Sequence, residues 1–242
     1  MNSIRSAIVL AAGKGTRMGG LTTEVPKPML PVAGKPILEH VLERLQSAGI
    51  ERVLLVIGYY GDRIREHFAD SPLDIHYKEQ QVLNGTGSAA LLGRDFTPDE
   101  PFLLTFGDIL CEPADYRGMM ALLNDPDTSA VIGVKHVDDP FQGAAVYEEQ
   151  GRVVRIIEKP PKGTSTTHWN SAGLYVFQPA LFDTLATLPL SPRGEYELTT
   201  AIVDWLEAGR LIRMYAIQGD WLDVGRPEDL ARADQIVKPP YR

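Results

Sequence analysis

The stretch LAAGKGTRMGGLTTEVPKPMLPV, residues 10–32, decides the reading of this chain. It begins inside a continuous apolar run, residues 7–12, with no polar alternation. Such a run reads as a strand covered on both faces, as in a parallel sheet. The run ends in Gly13-Lys14-Gly15-Thr16-Arg17. A glycine-rich turn after a strand lets backbone N–H groups converge on phosphate oxygens, because no Cβ blocks the approach. It is not a Walker A loop, since no Gly-Lys-Ser/Thr follows at the required spacing. Nor is it a dinucleotide fingerprint, because Met18 stands where the third glycine belongs. Further on comes Lys27, set between Pro26 and Pro28. Prolines on both sides restrict the backbone and lower the entropy lost in presenting that charge. Alone, one feature is a tight turn and the other a solvated lysine; together they point to a phosphate site.

Working outward, residues 53–57 and 102–106 repeat the apolar-run pattern. Between the first two runs the spacing predicts a helix over 36–48, from Ile37, Leu38, Val41, Leu42, Leu45 and Ala48. Pro36 suits its first position and Gly49 the position past its end. A short helix is expected over 85–92. In the second half, strands are expected over 131–134, 144–147, 153–157, 174–177 and 212–217, with Glu149-Gln150-Gly151 turning a hairpin. Helices are expected over 179–185, 198–208 and 227–237. Strands alternating with helices imply an α/β fold with a largely parallel sheet.

Composition narrows the function. The chain has 242 residues, 23% charged and 44% hydrophobic, with net charge −8. That balance argues against bulk attraction to nucleic acid or anionic membrane, so any anion must be held by a few local Lys or Arg residues. The single cysteine, Cys111, has no internal disulfide partner and is expected to be a small buried hydrophobe in a cytoplasmic protein. The apolar run near the N-terminus is too short for a signal peptide or a membrane span. His40, His67, His76, His136 and His168 show no metal-ligand spacing and read as surface or packing residues.

Residues 10–32 closely resemble the signature of the sugar-phosphate nucleotidylyltransferases. That family includes glucose-1-phosphate thymidylyltransferase, mannose-1-phosphate guanylyltransferase and the N-acetylglucosamine-1-phosphate uridylyltransferase domain. The resemblance continues, in the family's order, at Gly85-Thr86-Gly87, Phe106-Gly107-Asp108, Glu158-Lys159-Pro160, Glu195-Tyr196-Glu197-Leu198-Thr199 and Trp221-Leu222-Asp223-Val224-Gly225. It implies a Rossmann-like, three-layer fold with a mixed, mostly parallel central sheet and a small sugar-binding lobe. It implies one domain over 1–242: a nucleotide-binding half over 1–134, the lobe over 135–220, and a metal-ligand loop with C-terminal helix over 221–242. The left-handed β-helix acyltransferase domain of some relatives is expected to be absent.

The activity implied is Mg²⁺-dependent transfer of a nucleotidyl group from a nucleoside triphosphate, UTP or dTTP favoured, to a sugar 1-phosphate, with release of pyrophosphate. Both reactants are anions, so cations must neutralise the phosphates and hold attacker and leaving group in line. By resemblance, Leu10, Ala11, Ala12, Gly13, Lys14, Gly15, Thr16, Arg17, Gln80, Gly85 and Thr86 bind the nucleotide, with Gln80 and Gly85 at the base. Arg17, Lys27 and Asp108 carry the catalysis, and Asp108 with Asp223 holds the metal. Gly143, Glu158, Lys159, Asn170, Ser171 and Glu195 meet the sugar phosphate. Lys27 and Lys159 are expected to serve different halves of the reaction, with neither charge supporting the core. One departure stands out: many relatives place Asn where Ser171 stands, and here Asn170 lies one residue earlier. The partners implied are the triphosphate and the sugar phosphate, with a homo-oligomer allowed for. Two alternatives stay open: guanylyl transfer to a mannose or heptose 1-phosphate, and a non-catalytic regulator that binds a nucleotide sugar.

Overall fold

The computed structural model describes residues 4–237. In chain order its strands are β1 (Ser6–Leu10), β2 (Pro31–Val32), β3 (Lys35–Pro36), β4 (Arg52–Ile57), β5 (Asp74–Glu79), β6 (Phe102–Phe106), β7 (Ile109–Cys111), β8 (Thr128–His136), β9 (Ala144–Glu149), β10 (Arg152–Glu158), β11 (Trp169–Phe177), β12 (Leu211–Ala216) and β13 (Trp221–Asp223). Its α-helices are α1 (Ile37–Ser47), α2 (Gly61–His67), α3 (Thr86–Leu91), α4 (Pro113–Leu122), α5 (Leu181–Leu185), α6 (Leu198–Glu207) and α7 (Pro227–Ile236).

Among the described residues, nine strands form one sheet in the order β5-β4-β1-β6-β11-β8-β12-β10-β9. Pairing is parallel across β5, β4, β1 and β6 and between β8 and β12, and antiparallel elsewhere. The sheet is therefore mixed, and its second-half strands extend the same surface rather than forming a separate one. Successive side chains of a strand point to opposite faces. Ala7 and Val9 join the core beneath α1, α2 and α4, while Ile8 and Leu10 join the core beneath α3, α5 and α6. Both faces of β1 are thus covered, which is why its sequence is apolar without alternation and why the molecule has three layers.

The expected α1 is present, burying Ile37, Leu38, Val41, Leu42 and Leu45. Gly49 follows it in the left-handed region at φ 101, which terminates the helix. At the β9–β10 hairpin, Gln150 (φ 52) and Gly151 (φ 77) both take positive φ, the pattern a tight two-residue turn demands. Cys111 is buried, and burial pushes its thiol far above the ordinary range. No helix among the described residues is long and apolar enough to cross a membrane.

Several elements lie outside the sequence expectations: α2, β5, α4, β7 and β13. Of these, α4 carries what the site needs. Its Asp115 is 1% exposed and accepts from Tyr215 Oη (3.2 Å), the Gln218 N–H (2.9 Å) and the Gly219 N–H (3.0 Å). These bonds fix the turn that leads into β13. There β13 pairs antiparallel with β7, Asp223 opposite Ile109, and the Val224 N–H donates to the Asp108 carbonyl at 3.0 Å. Two acids far apart in sequence are thereby set side by side.

A buried carboxylate that satisfies three donors is costly to remove, since each donor is left desolvated without a partner. Asp115→Ala is expected to lower the unfolding free energy by about 3 kcal/mol. Urea titration should show a lower midpoint with an unchanged slope.

Candidate active site

The carboxyl end of β1 lies between the carboxyl ends of β4 and β6, the place where open α/β sheets bind ligands. The Ala11 N–H donates to the Val56 carbonyl (2.8 Å), and the Gly107 N–H donates to the Leu10 carbonyl (3.0 Å). Gly58 and Gly107 let the neighbouring strands close on Ala12 and Ala11: a Cβ on Gly58 would stand 2.9 Å from the Ala12 carbonyl oxygen. Residues Thr16–Thr22 then run as a 3-10 turn broken at Gly19, and Met18 is buried within it. So the residue that spoils the dinucleotide fingerprint is a core anchor for the loop. The Thr22 hydroxyl donates to the Gly15 carbonyl at 3.2 Å and holds the turn closed.

Below this loop opens a cavity of about 350 Å³. The loop contributes Leu10, Ala11, Ala12, Gly13, Gly15, Thr16 and Arg17 to its walls. Lys27 and Pro28 form one side, and Gln80, Leu83, Gly85, Thr86 and Ala89 another. Phe106, Asp108 and Glu195 complete it. The nucleotide residues expected from the sequence thus converge, with the exception of Lys14, which is exposed and outside the lining.

Lys27 is the charged centre of the site. Its Nζ donates to Asp108 Oδ2 and lies 3.8 Å from Asp223 Oδ1. It is only 6% exposed. Gly15, at φ 62, makes this burial feasible, because a Cβ there would come within 2.6 Å of Lys27 Cβ. A buried ammonium is stable only when paired, and the two carboxylates supply that pairing for Lys27. Arg17 closes the group: a Cβ placed on Gly225 would lie 3.6 Å from Arg17 Nη1 and 3.5 Å from Asp223 Oδ1. Burial, and next the Asp108 carboxylate, push Asp223 above the usual carboxylate range, with Lys27 and Arg17 pulling the other way. Two carboxylates thus stand close enough for each to feel the other's charge. Among the described residues no set of three or more His, Cys, Asp or Glu converges on a metal position. Two hard carboxylate oxygens, with phosphates and water completing the shell, suit Mg²⁺.

On the opposite wall, Gln80 is nearly buried, and its Nε2 donates to the Gly85 carbonyl and to Ser88 Oγ, both at 3.0 Å. The Gly85 carbonyl is an obligate acceptor, so the carboxamide orientation is fixed. Both amide hydrogens are used, and Gln80 has its Oε1 left to accept. Gly85 holds φ 123 against Tyr196, whose carbonyl oxygen would be 2.3 Å from a Cβ.

The remaining expected residues form a second group along β9–β11, outside the cavity lining. The Lys159 N–H donates to the Gly143 carbonyl at 2.7 Å, with Lys159 itself at φ 42. A Cβ on Gly143 would meet Asn170 Oδ1 at 2.3 Å. Ser171 pairs its hydroxyl with Tyr175 Oη at 2.8 Å. Asn170 donates Nδ2 to the Ser171 carbonyl, just before a register shift in β11. Glu158 accepts from Thr199 Oγ1 at 2.7 Å. Sequence reading missed Arg193, which lies 2.9 Å from Glu195 and from Glu197 and 3.7 Å from Glu158. The alternation Arg193-x-Glu195-x-Glu197 was its signal.

The profile of the nucleotidyl transferase family matches residues 6–238. The bifunctional protein GlmU of Methanococcus maripaludis is 36% identical over 235 residues, which cover 94% of this chain and 53% of that protein. The chain thus spans about half the length of such bifunctional relatives. The UTP–glucose-1-phosphate uridylyltransferase AglF of Haloferax volcanii is 36% identical over 237 residues, 96% of either chain. A solved UDP-glucose pyrophosphorylase, complexed with UDP-glucose, superposes with a TM-score of 0.87 over 96% of this chain and 97% of its own, at 23% identity. That likeness speaks to the fold.

The upward shift of Asp223 has a consequence for stability. The folded state holds this proton more tightly than the unfolded chain does, so stability falls as pH rises from the ordinary value of 3.8 to the raised one. The cost persists at neutral pH, though its size is reduced by a side chain 43% exposed to solvent. Without metal, Asp223→Asn is therefore expected to melt at or above the wild type at pH 7. The gain should vanish below the ordinary carboxylate range. Melting curves in chelator across this pH span check it.

Proposed function

The chain belongs to the nucleotidyl transferase family, in its sugar-1-phosphate branch, and on that premise we propose that it transfers a uridylyl or thymidylyl group from UTP or dTTP to a sugar 1-phosphate. The observation that carries this reading is the placement of buried Lys27 on Asp108 and beside Asp223, at the foot of the glycine-rich loop. A phosphate oxygen of the sugar 1-phosphate bonds to the α-phosphorus. The bond from that phosphorus to the bridging oxygen breaks, and pyrophosphate leaves with the electron pair. The sugar phosphate is itself the nucleophile, so the protein needs no covalent residue.

The protein's task is to hold two anions in line and neutralise them. Backbone N–H groups of residues 13–16 and the Arg17 guanidinium take the triphosphate, with Arg17 following charge onto the departing pyrophosphate. Lys27 faces the reacting phosphates. Asp108 and Asp223 would hold Mg²⁺, which when bound neutralises phosphate charge and orients the α-phosphate. Gln80 Oε1 accepts from N3–H of uracil or thymine, whereas adenine offers a lone pair at the corresponding position. On the sugar side, three glutamates share one guanidinium, so that region is rich in acceptors. Acceptors suit sugar hydroxyls, which are donors, and leave Lys159 to meet the sugar's phosphate. A cytoplasmic location suits the lone buried thiol.

Pyrophosphate release measured over a panel of triphosphates and sugar 1-phosphates tests the reading. UTP or dTTP is expected to give the highest kcat/KM; ATP in first place would overturn the role of Gln80, and GTP in first place would favour guanylyl transfer, since guanine N1–H is also a donor. Asp108→Asn keeps the shape and removes the charge. It is expected to lower kcat about a hundredfold, or about 3 kcal/mol. Full activity of this variant at ordinary Mg²⁺ would refute the metal assignment.

A further inference from the structure

The loop that reads the base and the segment that faces the sugar are zipped together. The Tyr196 N–H donates to the Asn84 carbonyl at 2.8 Å, and the Gly87 N–H donates to the Tyr196 carbonyl at 2.7 Å. The third bond is made by a side chain: the Leu198 N–H donates to Thr86 Oγ1 at 3.0 Å. Glu195 and Arg193 hang from the segment so held, Ser191 closing it through its N–H to the Glu195 carbonyl at 2.9 Å. Thr86 is the one link in this zip that a substitution removes without touching the backbone. It also stands one residue from Gly85, whose carbonyl fixes Gln80.

We propose that Thr86, which the family resemblance put among the nucleotide residues, is instead a positioning residue for the sugar phosphate: its hydroxyl accepts from the Leu198 N–H and sets the 193–198 segment against the base-reading loop. Base recognition and sugar binding thereby share one element. This rests on the reading above that Glu195 and its neighbours face the sugar. The consequence is asymmetric. A group that held the nucleotide would affect the triphosphate first, whereas loss of the Thr86 acceptor frees the segment opposite and affects the sugar phosphate.

The test compares Thr86→Val, which keeps the shape and removes the acceptor, with Thr86→Ser, which keeps the acceptor. Thr86→Val is expected to raise KM for the sugar 1-phosphate about tenfold, the scale of one lost hydrogen bond. The dissociation constant of the triphosphate, measured by calorimetry without sugar, should stay within about twofold, and Thr86→Ser should restore both values. A triphosphate constant that rises as much as the sugar KM, an unchanged sugar KM, or no rescue by Ser would each overturn the proposal. If Thr86→Val does not fold, hydrogen exchange on the wild type decides. The sugar 1-phosphate should slow exchange at the Leu198 amide more than the triphosphate does, and equal or unchanged exchange would refute the link. Absence of transfer by the wild type with every substrate pair would instead sink the activity, a distinct result.

Discussion

One ammonium set against two carboxylates organises this molecule. Lys27, Asp108 and Asp223 come from three separate parts of the chain, and each is delivered by a different constraint. Prolines 26 and 28 stiffen the segment that carries the lysine, and Gly15 makes room for its stem. Asp108 stands just past the end of β6, where a parallel strand points its carboxyl end at the crevice. Asp223 arrives through the short β7–β13 ladder, itself anchored by the buried Asp115. Burying charge is unfavourable unless it is paired. Burial, and next the Asp108 carboxylate, still raise Asp223 although Lys27 and Arg17 pull it the other way. Such a centre is stable enough to form and still able to bind a further cation.

How far the sequence reveals this depends on where the information lies. The apolar runs of β1, β4 and β6 are legible because helices cover both faces, and a run needs no partner to be recognised. The edge strand β5, DIHYKE, alternates between half-buried and exposed positions and carries charges, so no apolar run marks it. Helix α4 is obscured by Gly118, whose reason is tertiary: a Cβ there would stand 2.4 Å from Tyr215 Oη. β13 has three residues, too few for any period to show.

The site divides in the same way. One wall of the cavity is mostly a single contiguous loop, so residues 10–13 and 15–17 declare themselves together. Arg193 gains meaning only beside Glu158, which arrives from β10, a distant strand. The pair Asn170 and Ser171 shows why spacing alone misleads. A neighbour one position away in a strand faces the other side, and the register shift after Ser171 changes the geometry again.

Net charge and local charge lead to opposite expectations for an anionic substrate, and distance decides between them. The chain carries −8 overall, which repels phosphates in bulk. At physiological salt that field is screened over about 8 Å. Within the cavity the relevant charges are Arg17, Lys27 and the acids they touch, at separations well inside that length. Every acid near Lys27 reduces the attraction of that cation for phosphate. A site that only needed to bind anions would dispense with them. Their presence makes sense where the cation must be held at one point rather than simply present. Fixed charge does its work when charge moves during reaction, because no reorganisation is then required. The carboxylates around Lys27 thus trade affinity for position, which is the trade expected of a centre built for transfer rather than for storage of a nucleotide.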